Sequence, residues 1–109
     1  MAEWTIDLEA ILKVSEADVE DVAERLLDAL HEFDEVMGPV TYGDLTKRTI
    51  GLRFDVEAAE ARAAGNKGLD IAVAAIERSK VSGLELYKGV IEPAEELTLT
   101  QNNEMFVTA

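Results

Sequence analysis

Acidic residues recur at every fourth position in the segment SEADVEDVAERLLDALHEF, residues 15–33. If this segment is a helix, we expect the acids to lie along one side, where like charges at that spacing repel by a few tenths of a kcal/mol per pair. Two explanations compete: a solvated surface that keeps the protein soluble, or a surface that docks on a basic partner. We favour solubility. This acidic ridge consists of Glu16, Glu20, Glu24, Asp28 and Glu32.

Few other residues suggest chemistry. The chain has one histidine, His31, and no cysteine, so it lacks the residues for a histidine-rich metal site, a thiolate site or a thiol nucleophile. The GNKG motif at residues 65–68 lies just ahead of a predicted helix, where main-chain amides can bind phosphate, but it lacks the Lys-Ser/Thr ending of a P-loop. We therefore predict no catalytic residue, no metal and no cofactor, and expect a non-enzymatic protein.

Charge is distributed unevenly along the 109 residues, which carry a formal net charge of -13. Residues 1–35 hold twelve acids against two basic residues, whereas residues 36–92 hold eight of each sign. Such a charge disfavours binding to nucleic acids and anionic membrane surfaces and favours a basic partner, a cation or simple solubility. The lack of cysteine, of a signal-peptide pattern and of a long apolar run predicts a cytoplasmic protein.

The hydrophobic period identifies the first two elements. From Trp4 to Val14 apolar and polar residues alternate, which predicts a strand with one buried face. Ser15 then suits a helix N-cap, with Asp18 in the third position after it. From Val19 to Phe33 apolar residues follow at three- and four-residue steps, as on the buried stripe of an amphipathic helix.

The rest of the chain predicts a hairpin, a second helix and a last strand. Residues 36–56, VMGPVTYGDLTKRTIGLRFDV, indicate two strands around a turn, and Pro39 assigns the first of them to a sheet edge. The alanine-rich segment that follows predicts a helix with a firm start near Lys67, because the two glycines of GNKG each weaken a helix by about 1 kcal/mol. A close crossing over the sheet is the alternative reason for those glycines. A short strand over Leu84–Ile91 completes the series.

The order strand, helix, strand, strand, helix, strand is that of the ferredoxin-like fold. Right-handed crossovers put both helices on one face of a four-stranded antiparallel sheet, with the first and third strands in its centre. We predict this α+β two-layer βαββαβ sandwich for residues 1–93; the resemblance concerns the fold alone. Residues 94–109 form a C-terminal tail that we expect to pack on the domain or on a neighbouring subunit. The predicted core residues are Leu8, Leu12, Leu26, Leu30, Leu52, Phe54 and Ile76.

A fold of this kind leaves one face of the sheet without a helix. On this outer face we place alternate residues of the first and third strands, and Tyr87. Such side chains could pair two sheets face to face, or the edge strands could extend the sheet into a neighbour. We therefore predict a homo-oligomer. The candidate interaction residues, including those of the ridge and the tail, are Ile11, Arg53, Tyr87, Glu20, Glu24, Asp28, Met105 and Phe106.

Three classes of function follow from these features. The first, which we favour, is a small acidic interaction or assembly module that associates with itself. The second is an acidic decoy or inhibitor that binds a basic nucleic-acid-binding protein through the acidic ridge. The third is a small-ligand-binding domain or an enzyme that uses carboxylates alone. The missing catalytic groups, the small size and the apolar residues of the tail favour the first class.

Overall fold

A computed structural model describes residues 2–13 and 18–94 of the chain. Its elements are β1 (Ala2–Leu12), α1 (Val19–Leu30), β2 (Met37–Asp44), β3 (Thr49–Ala58), α2 (Ala61–Ser79) and β4 (Leu84–Pro93). The strands form one antiparallel sheet in the order β2-β3-β1-β4. The central position of β1 and β3 and the edge position of the strand with Pro39 confirm the predicted ferredoxin-like α+β fold.

The inner face of the sheet packs against both helices, because apolar residues alternate with polar ones along the central strands. The even-numbered residues of β1 from Ile6 to Leu12 are buried, and α1 adds Leu26 and Leu30, which are each 0% exposed. Both helices and the central strands contribute to a single cluster of buried side chains. Ile76 is partly buried against this cluster. The other six predicted core residues are buried within it: Leu8, Leu12, Leu26, Leu30, Leu52 and Phe54.

The first helix begins later than its sequence suggests. α1 starts at Val19, and its N-cap is Asp18, whose side chain accepts a hydrogen bond of 3.0 Å from the main-chain N–H of Glu20. Ser15, the predicted N-cap, lies outside the described residues. Aspartate and serine cap helices about equally well, so the sequence offers two suitable caps three residues apart. The structure uses the one directly ahead of the buried Val19.

The second helix begins earlier than predicted, and the predicted start near Lys67 is wrong. α2 starts at Ala61, so both glycines of GNKG lie inside it. A Cβ on Gly68 would come within 2.8 Å of Ile6 Cγ2, and a Cβ on Gly65 within 2.6 Å of Ile91 Cδ1. The glycines therefore allow the helix to cross close to the sheet. The motif also lies beyond the first turn of α2, so its amides do not form the free N-terminal end that a phosphate site would need.

The predicted division between domain and tail falls at the end of the described region. β4 ends at Pro93, and only Ala94 of the predicted tail is described. The packing of the tail, including Met105 and Phe106, lies outside the described residues and stays a prediction. Neither helix of the described region combines the length and the apolar character that crossing a membrane would require.

Candidate functional site

The outer face of the sheet is the candidate site, because no helix packs on it and it gathers exposed apolar side chains around charged ones. The strand register aligns its residues in rows across the sheet in the order β2, β3, β1, β4. One row is Val40, Arg53, Asp7 and Val90, and the next is Tyr42, Gly51, Glu9 and Lys88. Ile11 and Tyr87 extend the exposed apolar surface beside these rows.

Tyr42 reaches from the edge strand β2 to the central strand β1. Its ring lies across Gly51 so closely that a Cβ there would be 2.0 Å from Tyr42 Cζ. The Tyr42 hydroxyl donates a hydrogen bond of 2.8 Å to Asp7 Oδ1. Burial of the phenol, followed by this hydrogen bond and the negative charge of Asp7, raises the pKa of Tyr42 to about 12. The glycine in β3 is therefore the reason why a tyrosine of β2 can contact a carboxylate of β1.

Tyr87 makes the corresponding contact from the opposite edge. Lys88 pairs with Glu9 and Leu86 pairs with Ala10, so Tyr87 is the extra residue of a β-bulge in β4. The Tyr87 hydroxyl donates a hydrogen bond of 2.5 Å to Glu9 Oε1, and this bond raises the pKa of Tyr87 above its ordinary value. The bulge thus directs one more side chain toward the outer face than a regular strand would.

The two tyrosine–carboxylate pairs are structural groups at neutral pH. Because the pKa of each phenol is raised, both tyrosines stay protonated and act as hydrogen-bond donors rather than as general bases. Asp7 and Glu9 are separated by two positions on β1, which places them about 7 Å apart. Each accepts a hydrogen bond from a different edge strand. The pairs therefore hold the polar centre of the outer face in a fixed arrangement.

The two central rows of the outer face carry two carboxylates and two basic residues, but the rows nearer the strand ends add acids, among them Glu3, Glu57 and Glu92. Arg53 and Lys88 lie beside the two carboxylates in the cross-strand rows, and neither forms an ion pair within the described residues. At the margin, Lys13 pairs with Glu85 at 2.6 Å between Nζ and Oε2. On the same face the Thr5 hydroxyl donates a hydrogen bond of 2.7 Å to Asp55 Oδ1. The outer face as a whole is therefore acidic, as is α1 on the helical side of the sheet.

Six of the eight candidate interaction residues lie in the described region. Ile11, Arg53 and Tyr87 share the outer face, as the alternation of the strands predicts. The other three are exposed on α1, on the opposite side of the sheet. Sequence reasoning missed Tyr42, Val40 and Val90, which are all exposed on the outer face. Only the register of the hairpin, set by the pairing of Asp44 with Thr49, reveals that Tyr42 faces Gly51.

Only the middle of the acidic ridge lies on α1, where Glu20, Glu24 and Asp28 are exposed; the helix ends at Leu30, before Glu32. Residues four apart on an α-helix are offset by about 40°, so these three share one broad side of the helix. Glu20 and Glu24 border a groove next to β2. Glu32, at the other end, approaches Arg78 of α2, with 3.3 Å between Oε1 and Nη1. Glu16 lies outside the described residues.

Two apolar grooves open on the helical side of the sheet. The first lies between α2 and β4, has a volume of about 330 Å³ and is lined mainly by apolar residues, including Leu8, Leu69 and Ile91. The second, between α1 and β2, has a volume of about 410 Å³. Within residues 2–13 and 18–94, no group of three or more histidine, aspartate or glutamate side chains is arranged to hold a metal ion.

Comparison with known proteins gives a structural similarity and no family. The sequence matches no protein-family model and no curated protein sequence. The solved structure of the structural genomics protein YJCS superimposes with a TM-score of 0.62 at 12% identity, over 85% of this chain and 99% of that chain. The uncharacterized protein TM1266 from Thermotoga maritima gives a TM-score of 0.42 at 11% identity, over 84% and 98% of the two chains. The similarity to YJCS supports the fold alone.

Proposed function

We propose that the protein is a small, non-enzymatic assembly module that associates with a second copy of itself through the outer face. The observation that supports this is the uncovered sheet face, where three large exposed apolar side chains lie around two tyrosine–carboxylate pairs whose tyrosines are also exposed. Exposed apolar side chains gathered on one face mark interaction sites. The three are Ile11, Val40 and Val90.

The size of the outer face suits a modest interface. Four strands spaced about 4.8 Å apart, over seven residues each, cover about 20 by 23 Å. Two such faces would bury on the order of 1,000 Å² in all, the lower limit for a specific interface. Stacked sheets lie about 10 Å apart, with their side chains interdigitated. We therefore expect a weak or moderate dimer rather than an obligate one.

The charges of the two central rows favour a second copy as the partner. Arg53 and Lys88 on one copy can approach Asp7 and Glu9 on the other, so these rows are complementary to the same rows of a second copy. The acidic α1 lies on the other side of the sheet. In a face-to-face pair the two acidic helices would be separated by far more than the Debye length of about 8 Å, and their repulsion would be screened.

The test is the mass of the protein in solution, measured by sedimentation equilibrium for matched variants. Val90 on the outer face is 43% exposed, and Val73 on α2 is 47% exposed. We expect a dimer for the unchanged protein and for Val73→Asp, and a monomer for Val90→Asp with an unchanged circular dichroism spectrum. A monomer at all concentrations, or dissociation caused by Val73→Asp and not by Val90→Asp, would show that the outer face is not the interface.

The groove between α2 and β4 favours a second proposal, the binding of a small apolar ligand. Leu69 and Ile91, which are 46% and 40% exposed, lie at its mouth. Decanoate is a suitable probe, because its alkyl chain matches the mainly apolar lining of the groove. Binding by calorimetry that disappears in Leu69→Glu would support this proposal, and no heat with the unchanged protein would contradict it.

The cytoplasm remains the proposed location, since the sequence contains no cysteine.

A further inference from the structure

The groove between α1 and β2 combines an apolar floor with an acidic border. Its floor includes Leu27 and Leu45, and Leu45 is 63% exposed, the highest value among the large apolar residues of the described region. Glu20 and Glu24 form the border on the helix side. The complete lining is Glu20, Ala23, Glu24, Leu27, Thr41, Tyr42, Gly43 and Leu45.

Two local contacts give the groove its shape. The Thr41 hydroxyl donates a hydrogen bond of 2.7 Å to the main-chain carbonyl of Ala23, which fixes β2 to α1. Gly43 lies close to Val19, and a Cβ there would come within 2.5 Å of Val19 Cγ1. The helix can therefore approach the end of β2, and no side chain from position 43 fills the space between them.

The charges on the border have no counterpart within the groove. None of the residues that line it is basic. Glu20 and Glu24 form no ion pair within residues 2–13 and 18–94, whereas neighbouring acids of α1 do. Asp21 pairs with Arg25 at 3.8 Å, and Glu32 pairs with Arg78. The two border carboxylates are therefore available to cations from outside the described chain.

The groove also borders an open sheet edge. Among the described strands, β2 pairs with β3 on one side only. Beyond the irregularity between Met37 and Val40, the pairing of Val40–Asp44 with β3 is regular. The main-chain groups on the outer side of this segment can therefore accept an added strand, as in peptide recognition by strand addition. In an added strand, alternate side chains would point toward the groove.

From these features we propose that the α1–β2 groove binds a basic amphipathic segment of a partner protein, extended along β2. An apolar side chain of that segment packs between Leu27 and Leu45, and flanking lysine or arginine side chains approach Glu20 and Glu24. The groove supplies what a solvated acidic surface lacks, an apolar anchor point beside the acids. This inference replaces solubility as the role of these two residues. It does not depend on self-association, because Glu20, Glu24 and Leu27 belong to α1 on the opposite side of the sheet, and Tyr42 alone borders both surfaces.

The experiment uses a fluorescent synthetic peptide of alternating residues, Lys-Leu-Lys-Val-Lys-Leu-Lys, and measures its anisotropy against protein at low ionic strength. A peptide with serine at the apolar positions has the same charge. The charge variant is Glu20→Gln with Glu24→Gln, and its matched control is Glu60→Gln with Glu77→Gln, exposed acids ahead of and within α2. Leu45→Ser tests the apolar anchor, and Val73→Ser is its control, since Val73 is an exposed apolar residue of α2 that lines neither groove. Circular dichroism checks that each variant is folded.

We expect the charge variant to weaken binding by about fivefold, the effect of losing two exposed charge pairs. We expect Leu45→Ser to weaken it by several-fold, and the two controls to change it by less than about twofold. Equal weakening by both double variants, equally tight binding of the serine peptide, or no binding at all would overturn the proposal. A changed dimer mass in the charge variant would also overturn it, because a second copy would then cover the groove. Repeating the peptide titration with Val90→Asp, which we expect to be a monomer, shows whether peptide binding depends on self-association.

Discussion

The two faces of the sheet are built from the same alternating strands, but they are organised in different ways. On the inner face, side chains fill the space between the sheet and the helices, and residues such as Leu52 and Phe54 are at most 1% exposed. On the outer face, side chains are held by specific cross-strand hydrogen bonds, as in the contacts of Tyr42 with Asp7 and of Tyr87 with Glu9. The inner face depends on close packing, whereas the outer face depends on which residues the register places side by side.

Removing volume from the core should change the stability of the protein most. Leu26→Ala should lower the free energy of unfolding by about 2–5 kcal/mol, because Leu26 is fully buried and the truncation leaves a cavity. Leu69→Ala, at a site 46% exposed, should change it by about 0.5 kcal/mol or less. Urea denaturation measures both. A loss below about 1 kcal/mol for Leu26→Ala would mean that the buried stripe of α1 is assigned to the wrong residues.

A smaller effect is expected from adding one methyl group between α2 and the inner face. Gly68→Ala improves helix propensity by about 1 kcal/mol, but the new Cβ would meet the buried Ile6. Overpacking of this kind costs about 1–3 kcal/mol, so we expect a net loss of stability in urea. Asn66→Ala, on the exposed side of the same turn, is the control and should be neutral or slightly stabilising. A gain of stability in Gly68→Ala would argue against the close crossing.

The smallest effect concerns the outer face and is seen in ionisation rather than in stability. The chain has two tyrosines, so the phenolate absorbance of Tyr42→Phe reports Tyr87 alone, and the difference from the unchanged protein reports Tyr42. We expect Tyr42 to titrate near pH 12 and Asp7→Asn to lower its pKa toward 10.0 without reaching it, since burial is the largest cause of the shift. Titration of both phenols near pH 10 in the unchanged protein would show that the Tyr42–Asp7 contact does not form in solution.

The raised pKa of Tyr42 determines how the stability of the protein depends on pH. The pKa of Tyr42 is raised in the folded protein, so its contribution to stability is fully present below pH 10 and is lost as the pH rises through about 12. In the Tyr42→Phe variant this loss should be absent. Urea denaturation at several alkaline pH values, compared between the two proteins, measures the difference.

The sequence predicts the inner face of the sheet better than the outer face, because burial follows a local pattern and the outer contacts depend on strand pairing. The period of two in β1 is local, so the burial of Leu8 and Leu12 and the position of β1 in the sheet could be predicted. The Tyr42–Asp7 contact requires the pairing of β2 with β3 and of β3 with β1, which no local pattern contains. The bulge that places both Tyr87 and Lys88 on the outer face is equally non-local. The predicted late start of α2 failed for a related reason. Helix propensity depends on the sequence of the helix alone, whereas the close approach of Gly68 to Ile6 depends on how the helix packs on the sheet.

Both edges of the sheet carry an interruption, and this limits how the protein can aggregate. β4 contains the bulge at Tyr87, and β2 contains Pro39 within an irregular register. Fibrils grow when long, regular edges of identical chains add to one another without end, and bulges and prolines are obstacles to that growth. Each edge of this sheet offers only a short regular stretch. In the face-to-face pair that we propose, the interface is closed and the sheet edges are poor templates for further copies, so we expect the protein to resist open-ended polymerisation.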